Sequence, residues 1–276
     1  MSSLVVNTNL SALAAYNNLN ATDQGVSKAI DELSSGLAIQ TAADGPAAYV
    51  TSQALESQAN GYQTAISNAQ DGVSLIQTAS GALNQISSIL QTMDQLALSS
   101  ANGATNDSTS LGANQSEFAA LQSEITQIAS TTSYGKTTLL DGTFTNQVLQ
   151  VGAFDLTNQQ ITLSLSGADA TSLGLSSSIS VGSASAAAAA ASVVQAAIAT
   201  VDTIEASAGA VQVELQSIVA NLTVGQQNLT AADSQLTDVN MAQEMTTYST
   251  DQVLLQTGTA MLAQAQQQPS LVLKLI

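Results

Sequence analysis

The chain contains no cysteine, no histidine, no tryptophan and no arginine, and Lys28, Lys136 and Lys274 are its only bases against 20 acidic residues, a formal net charge of −17. Each absence excludes something. Without His or Cys there is no imidazole or thiolate to act as nucleophile, general base or transition-metal ligand, so an enzyme is not expected. The sparse Asp and Glu have no calcium-loop spacing, and no metal or other cofactor is implied. Phosphate recognition needs clustered Lys or Arg, so neither nucleic acid nor an anionic membrane surface suits as a partner. Lack of Cys permits either redox environment.

Large side chains are scarce too. Only 3% of the 276 residues are aromatic; a thick globular core uses more, whereas helix bundles one or two layers deep can be built from Ala, Leu, Ile and Val. The amino-terminal stretch is unlike a cleavable signal peptide, because no base precedes its apolar residues and Asn7, Asn9, Asn17 and Asn18 interrupt it. No run is expected to span a membrane.

What is present is helical periodicity. Met1 to Thr22 and Gln252 to Leu273 are both free of charge, with apolar residues at helical spacing. Two such helices, each marginal alone, are explained if they pair with each other and with neighbouring subunits, becoming helical only on assembly. Inside the chain, Val26, Ile30, Leu33 and Leu37 step by four and three, as do Leu83, Ile86, Leu90, Met93 and Ala97. The longest series is Val201, Ile204, Ala208, Val211, Leu215, Ile218, Leu222, Gly225 and Leu229. Alternating steps over that length describe a coiled-coil seam.

Punctuation orders these helices. Asp44-Gly45-Pro46 separates the first from the second. A polar turn from Asn102-Gly103 through Gly112 joins the second to a shorter third, carrying Phe118, Leu121, Ile125 and Ile128. Val148 to Val151 and Ile161 to Leu165 read as a β-hairpin with its turn at Asp155 to Gln160. The alanine run Ala186 to Ala191 favours helix and starts the long helix that follows. The expected fold is mainly α: a long antiparallel helical coiled-coil bundle with paired N- and C-terminal helices and a small β-hairpin insertion. Asn9-Leu10-Ser11 and Asn221-Leu222-Thr223 have the form of glycosylation acceptors, but fall on helices expected to be buried.

Five motifs then appear in order: Val6-Asn7-Thr8-Asn9-Leu10; Leu33-Ser34-Ser35-Gly36-Leu37; Ser100-Ala101-Asn102-Gly103; Asn221-Leu222-Thr223 with Asp238, Ala242 and Glu244; and Gln256 with Gly258-Thr259-Ala260-Met261-Leu262-Ala263-Gln264-Ala265, Pro269 and Val272-Leu273. Together they resemble bacterial flagellin over nearly the whole chain. The resemblance implies a filament subunit that is secreted to the extracellular flagellum. Its partners would be copies of itself, the flagellar type III export apparatus, a flagellin chaperone, the filament cap and hook-associated proteins. It further implies inner-tube terminal helices at 1–40 with 236–276, a helical rod domain at 41–144 with 186–235, and a short hairpin and loop region at 145–185 in place of outer domains. Leu10, Leu13, Leu33, Leu37, Leu254, Leu255, Met261, Leu262 and Leu273 would pack subunits, and Leu83, Ile86, Leu90, Val211, Leu215, Ile218 and Leu222 would form the rod-domain seam.

The chain departs from the family pattern where bases are usual. Glu32, Ala38 and Gln235 stand at positions that commonly hold Arg. The segment Leu90, Gln91, Thr92, Gln95 and Leu96 corresponds to the patch by which a vertebrate Toll-like innate receptor senses flagellins, with Thr92 and Gln95 replacing the usual Arg and Glu. Two other readings share parts of this pattern: a hook-filament junction protein and a secreted helical protein binding a receptor as a monomer. Polymerisation with helical symmetry separates both from a filament subunit.

Overall fold

A computed structural model describes residues 9–153 and 157–273. Val6, Asn7 and Thr8 of the first motif, Asp155 of the expected turn, Lys274 and the side chain of Leu273 lie outside the described residues. Five helices dominate: α1 (Leu10–Ser35), α2 (Pro46–Ala101), α3 (Ser108–Thr131), α4 (Ala184–Thr237) and α5 (Met241–Leu273). Two short antiparallel pairs lie between α3 and α4. They are β1 (Ser133–Tyr134) with β2 (Thr137–Thr138), and β3 (Gln147–Gln150) with β4 (Gln160–Leu163), registered Val148 to Thr162 and Leu149 to Ile161. The chain is mainly α with a small hairpin insertion, as its periodicity implies. The two-residue pair β1–β2 carries no sequence alternation and is not foreseen.

Helix ends follow capping chemistry. The Asn9 side chain accepts from Ala12 N–H at 3.0 Å and starts α1. Gly36 ends it at φ 77°, left-handed backbone that suits glycine, and donates its N–H to Glu32 O at 2.8 Å. Pro46 occupies the first position of α2, where its missing N–H costs nothing. The turn after α2 is shorter than its composition implies: Asp107 accepts from Ser110 N–H at 2.7 Å and starts α3, so Gly112 lies inside the helix. A capping carboxylate supplies the start that the glycine obscured.

Contacts divide the chain into two compact units, one formed by residues up to Ser57 and from Asn228 onward, the other by Gln58–Gln227. In the second unit one core gathers Leu83, Ile86, Leu90 and Met93 of α2, Phe118 and Ile125 of α3, and Val194, Val201 and Ile204 of α4. Leu163, Leu165, Leu173, Leu175 and Val181 enter the same core. Much of 145–185 is therefore core material of this unit. Gln115 Oε1 accepts from Val181 N–H at 2.6 Å and from the Ser180 hydroxyl at 2.9 Å, fastening the return segment to α3. The β3–β4 hairpin sits on α2 because Gly72 lacks a side chain: a Cβ there would lie 2.6 Å from Leu149 Cδ2 and 3.1 Å from Leu215 Cδ1.

Helix α4 corrects one expectation. It contains a stretch with mean hydropathy 1.6, long and apolar enough to cross a membrane. Alanine supplies much of that apolarity, and Ala187, Ala190, Ala191, Val194, Ala197 and Val201 are all buried in the core of the second unit.

Candidate functional site

In the first unit α1 and α5 pack along each other. Ala12, Ala15, Leu19, Thr22, Val26, Ala29 and Leu33 form a half-buried or buried stripe on α1 that steps by three and four, with Gly25 and Glu32 half-buried beside it. On α5 the matching series is Tyr248, Asp251, Leu255, Gly258, Leu262 and Ala265. These are two heptad stripes in which glycines let the partner come close: a Cβ on Gly258 would lie 3.0 Å from Leu19 Cδ1, and one on Gly25 2.9 Å from Asp251 Oδ2. The pairing is antiparallel and closed at both ends. Asn9 Nδ2 donates to Ala265 O at 2.7 Å, while Ala38 N–H donates to Thr237 O at 2.6 Å and Val239 N–H to Gly36 O at 2.9 Å. The two charge-free ends thus pair with each other, as their shared helical spacing implies.

This seam sorts the expected packing residues. Leu33, Leu255 and Leu262 are half-buried on the stripes, and Leu37 is half-buried beside its bridge to Asp238. Leu10 (68% exposed), Leu13, Leu254 and Met261 (65%) lie off the stripes and are exposed. The series Val26, Ile30, Leu33, Leu37 is corrected at one position: Ile30 is exposed and Ala29 is buried. A reading weighted by hydrophobicity prefers Ile, but a close helix pair selects the smaller residue. Leu254 and Met261 also border a groove of about 440 Å³ beside Ala15, Leu19, Thr22 and Gly258.

The second-unit seam is continuous. Leu83, Ile86, Leu90 and Leu215 are fully buried; Val211, Ile218 and Leu222 are half-buried. On the receptor-type patch Gln91, Thr92 and Gln95 are exposed and Leu96 is half-buried, whereas Leu90 lies in the core. Leu90 is thereby corrected from a contact residue to one that supports the patch from beneath. Asn221 is exposed, and the Asn9 amide is engaged with Ala265, so burial does not describe either glycosylation triplet.

Charge is arranged around a single described cation in the first unit. Lys28 Nζ lies 3.4 Å from Glu32 and 4.0 Å from Asp44. Four aspartates are held below the ordinary carboxylate value. Asp44 accepts from Thr41 N–H and hydroxyl, Asp107 from Ser110 N–H, and Asp141 from the Thr138 and Thr143 hydroxyls. Burial pushes Asp169 up, but donors on Ser172 and Thr171 outweigh it. A carboxylate with a lowered value contributes stability that is present above the ordinary 3.8 and disappears as pH falls through the lowered value. The remaining acids repel one another near neutrality. Sedimentable polymer is therefore expected to hold or rise from about pH 8 to about pH 4 and to decline only below that range. Depolymerisation already at about pH 5, scored by pelleting, would show that other carboxylate contacts dominate. Among the described residues no cluster of three or more acids could hold a metal ion.

Comparison with known proteins gives this arrangement its context. Residues 6–145 match the bacterial flagellin N-terminal helical region and residues 191–276 match the bacterial flagellin C-terminal helical region.

The chain belongs to the flagellin family.

It is 36% identical to the flagellin of Bacillus subtilis (strain 168), over 98% of this chain and 99% of the relative. It is 37% identical to the flagellin of Halalkalibacterium halodurans, over 99% and 100%. The flagellar filament 33 kDa core protein of Treponema phagedenis is 32% identical, over 99% and 100%. A crystal structure of Bacillus cereus flagellin superposes with TM-score 0.50 at 28% identity, covering 60% of this chain and 94% of that one. This flagellin is a self-polymerising structural subunit of the extracellular bacterial flagellar filament, in a short form of 276 residues.

Proposed function

We propose that the α1–α5 pair is the element that polymerises. Residues 1–40 and 236–276 would build the inner tube, 41–144 with 186–235 the rod domain around it, and 145–185 would stand where longer flagellins carry outer domains. The observation that carries this is the exposed set Leu10, Leu13, Leu254 and Met261, on helices that already bury one stripe each against the other. Apolar side chains left exposed on the charge-free ends of this pair gain roughly 25 cal/mol per Å² when a second copy covers them. The chain acts without catalysis and is secreted unfolded by the flagellar export apparatus, with the chaperone, cap and hook-associated partners of its family. Purified protein added to filament seeds should elongate them with helical symmetry. A chain that stays monomeric at all concentrations would refute the reading.

The exposed patch favours a silent monomer. Thr92 and Gln95 offer hydroxyl and amide where an ion-pairing Arg and Glu are usual, and loss of an anchoring Arg commonly costs an interface a few kcal/mol. Signalling in reporter cells bearing the Toll-like receptor should be weak or absent, and T92R with Q95E should raise it. Potent activation by the native chain would contradict this.

A further inference from the structure

A helical filament needs a heterologous interface: two different patches on one chain, each complementary to the other, because self-complementary contacts close into dimers. The second unit offers such a patch. Beside the β1–β2 turn lies a hollow of about 220 Å³, lined by the buried Phe144 and Leu163, the half-buried Leu75 and Leu149, the exposed Val148, and at its polar edge Asp71, which accepts from the Tyr134 hydroxyl at 3.5 Å. An apolar cavity of roughly 150 Å³ already admits a benzene-sized group, so a branched aliphatic side chain fits. At the tip of that turn, between Tyr134 and Thr137, stands Lys136. It is exposed, and no carboxylate among the described residues pairs with it.

The complementary patch should therefore present an apolar side chain next to a free carboxylate. Val213 is 66% exposed and is followed by the exposed Glu214. Other exposed apolar residues of this unit fit less well. Val224 is flanked by Thr223 and Gly225, and the acid one turn before Leu98 is Asp94, which already accepts from Gln195 Nε2 at 3.3 Å. Val213 cannot fill the hollow of its own chain. Leu215 faces Leu149 and the hairpin, and at about 100° per residue Val213 points to the opposite side of α4. We propose that the hollow beside β1–β2 receives Val213 of a neighbouring copy, with Lys136 meeting that copy's Glu214.

This inference rests on the filament reading and is tested on the full chain. K136E and E214K should each slow seeded elongation by roughly tenfold, while K136E/E214K together should recover to within a few-fold of native, since opposite charges again meet. V213D should slow elongation at least as much. All positions are exposed, so circular dichroism of each monomer should match native. In native filaments, carbodiimide coupling should join Lys136 to Glu214 between isotopically distinct copies. A double variant no better than its singles, or singles that elongate like native, overturns the inference while leaving the filament reading intact. Failure of the native chain to elongate seeds removes the filament reading itself, and this contact with it.

Discussion

A chain ending before Leu254 is expected to give no sedimentable polymer at concentrations where the full chain assembles fully, while its monomer keeps the helical signal of α2, α3 and α4. The truncation removes Leu255, Gly258, Leu262 and Ala265 from the seam, so α1 loses its partner over Ala12 to Leu19 and Asn9 loses its bond to Ala265. A helix without tertiary cover is marginal in water, and α1 has neither an acid in its first turn nor a base in its last to support it. Leu254 and Met261 go as well, and each large apolar side chain that a neighbour would bury is worth about 1.5–3 kcal/mol. The loss recurs at every subunit. The core of Gln58–Gln227 contains none of these residues. Pelleting and electron microscopy check the polymer, and far-ultraviolet circular dichroism checks the monomer. Normal filaments from the truncated chain would refute the assignment of assembly to α1 and α5.

Leu90→Ala should produce the largest loss of monomer stability among single substitutions on the exposed-looking stretch of α2 that includes the receptor-type patch. Leu90 is 0% exposed among Ile86, Met93 and the facing helices, so truncation removes its burial and leaves a void. Such substitutions cost about 2–5 kcal/mol. For a unit of this size that lowers Tm by roughly 5–20 °C. Leu98→Ala, on the same helix but with its side chain more than half exposed, should stay within about 0.5 kcal/mol. Thermal melts of the two monomers decide the matter. Equal effects would mean that Leu90 is not the seam residue its burial indicates.

Much of the helical layout is legible in the residue pattern. Heptad steps from Val201 to Leu229 and from Leu83 to Ala97 can only bury their apolar stripes in paired helices, and Gly36 and Pro46 mark where the chain must leave and re-enter helix. Motif order carried the family. Tertiary structure decided which side of each helix is used. Ala29 rather than Ile30 faces α5 because the approach of two backbones, not the transfer energy of one side chain, sets the seam. Asp107 rather than Gly112 bounds α3, since a carboxylate reaching Ser110 N–H satisfies a helix end that glycine cannot. Leu33, Leu255 and Leu262 looked like Leu10, Leu254 and Met261 in the sequence. Only the docking of α1 against α5 separates residues already covered within the chain from those still exposed, because burial is a property of two surfaces meeting and no single stretch of sequence contains both.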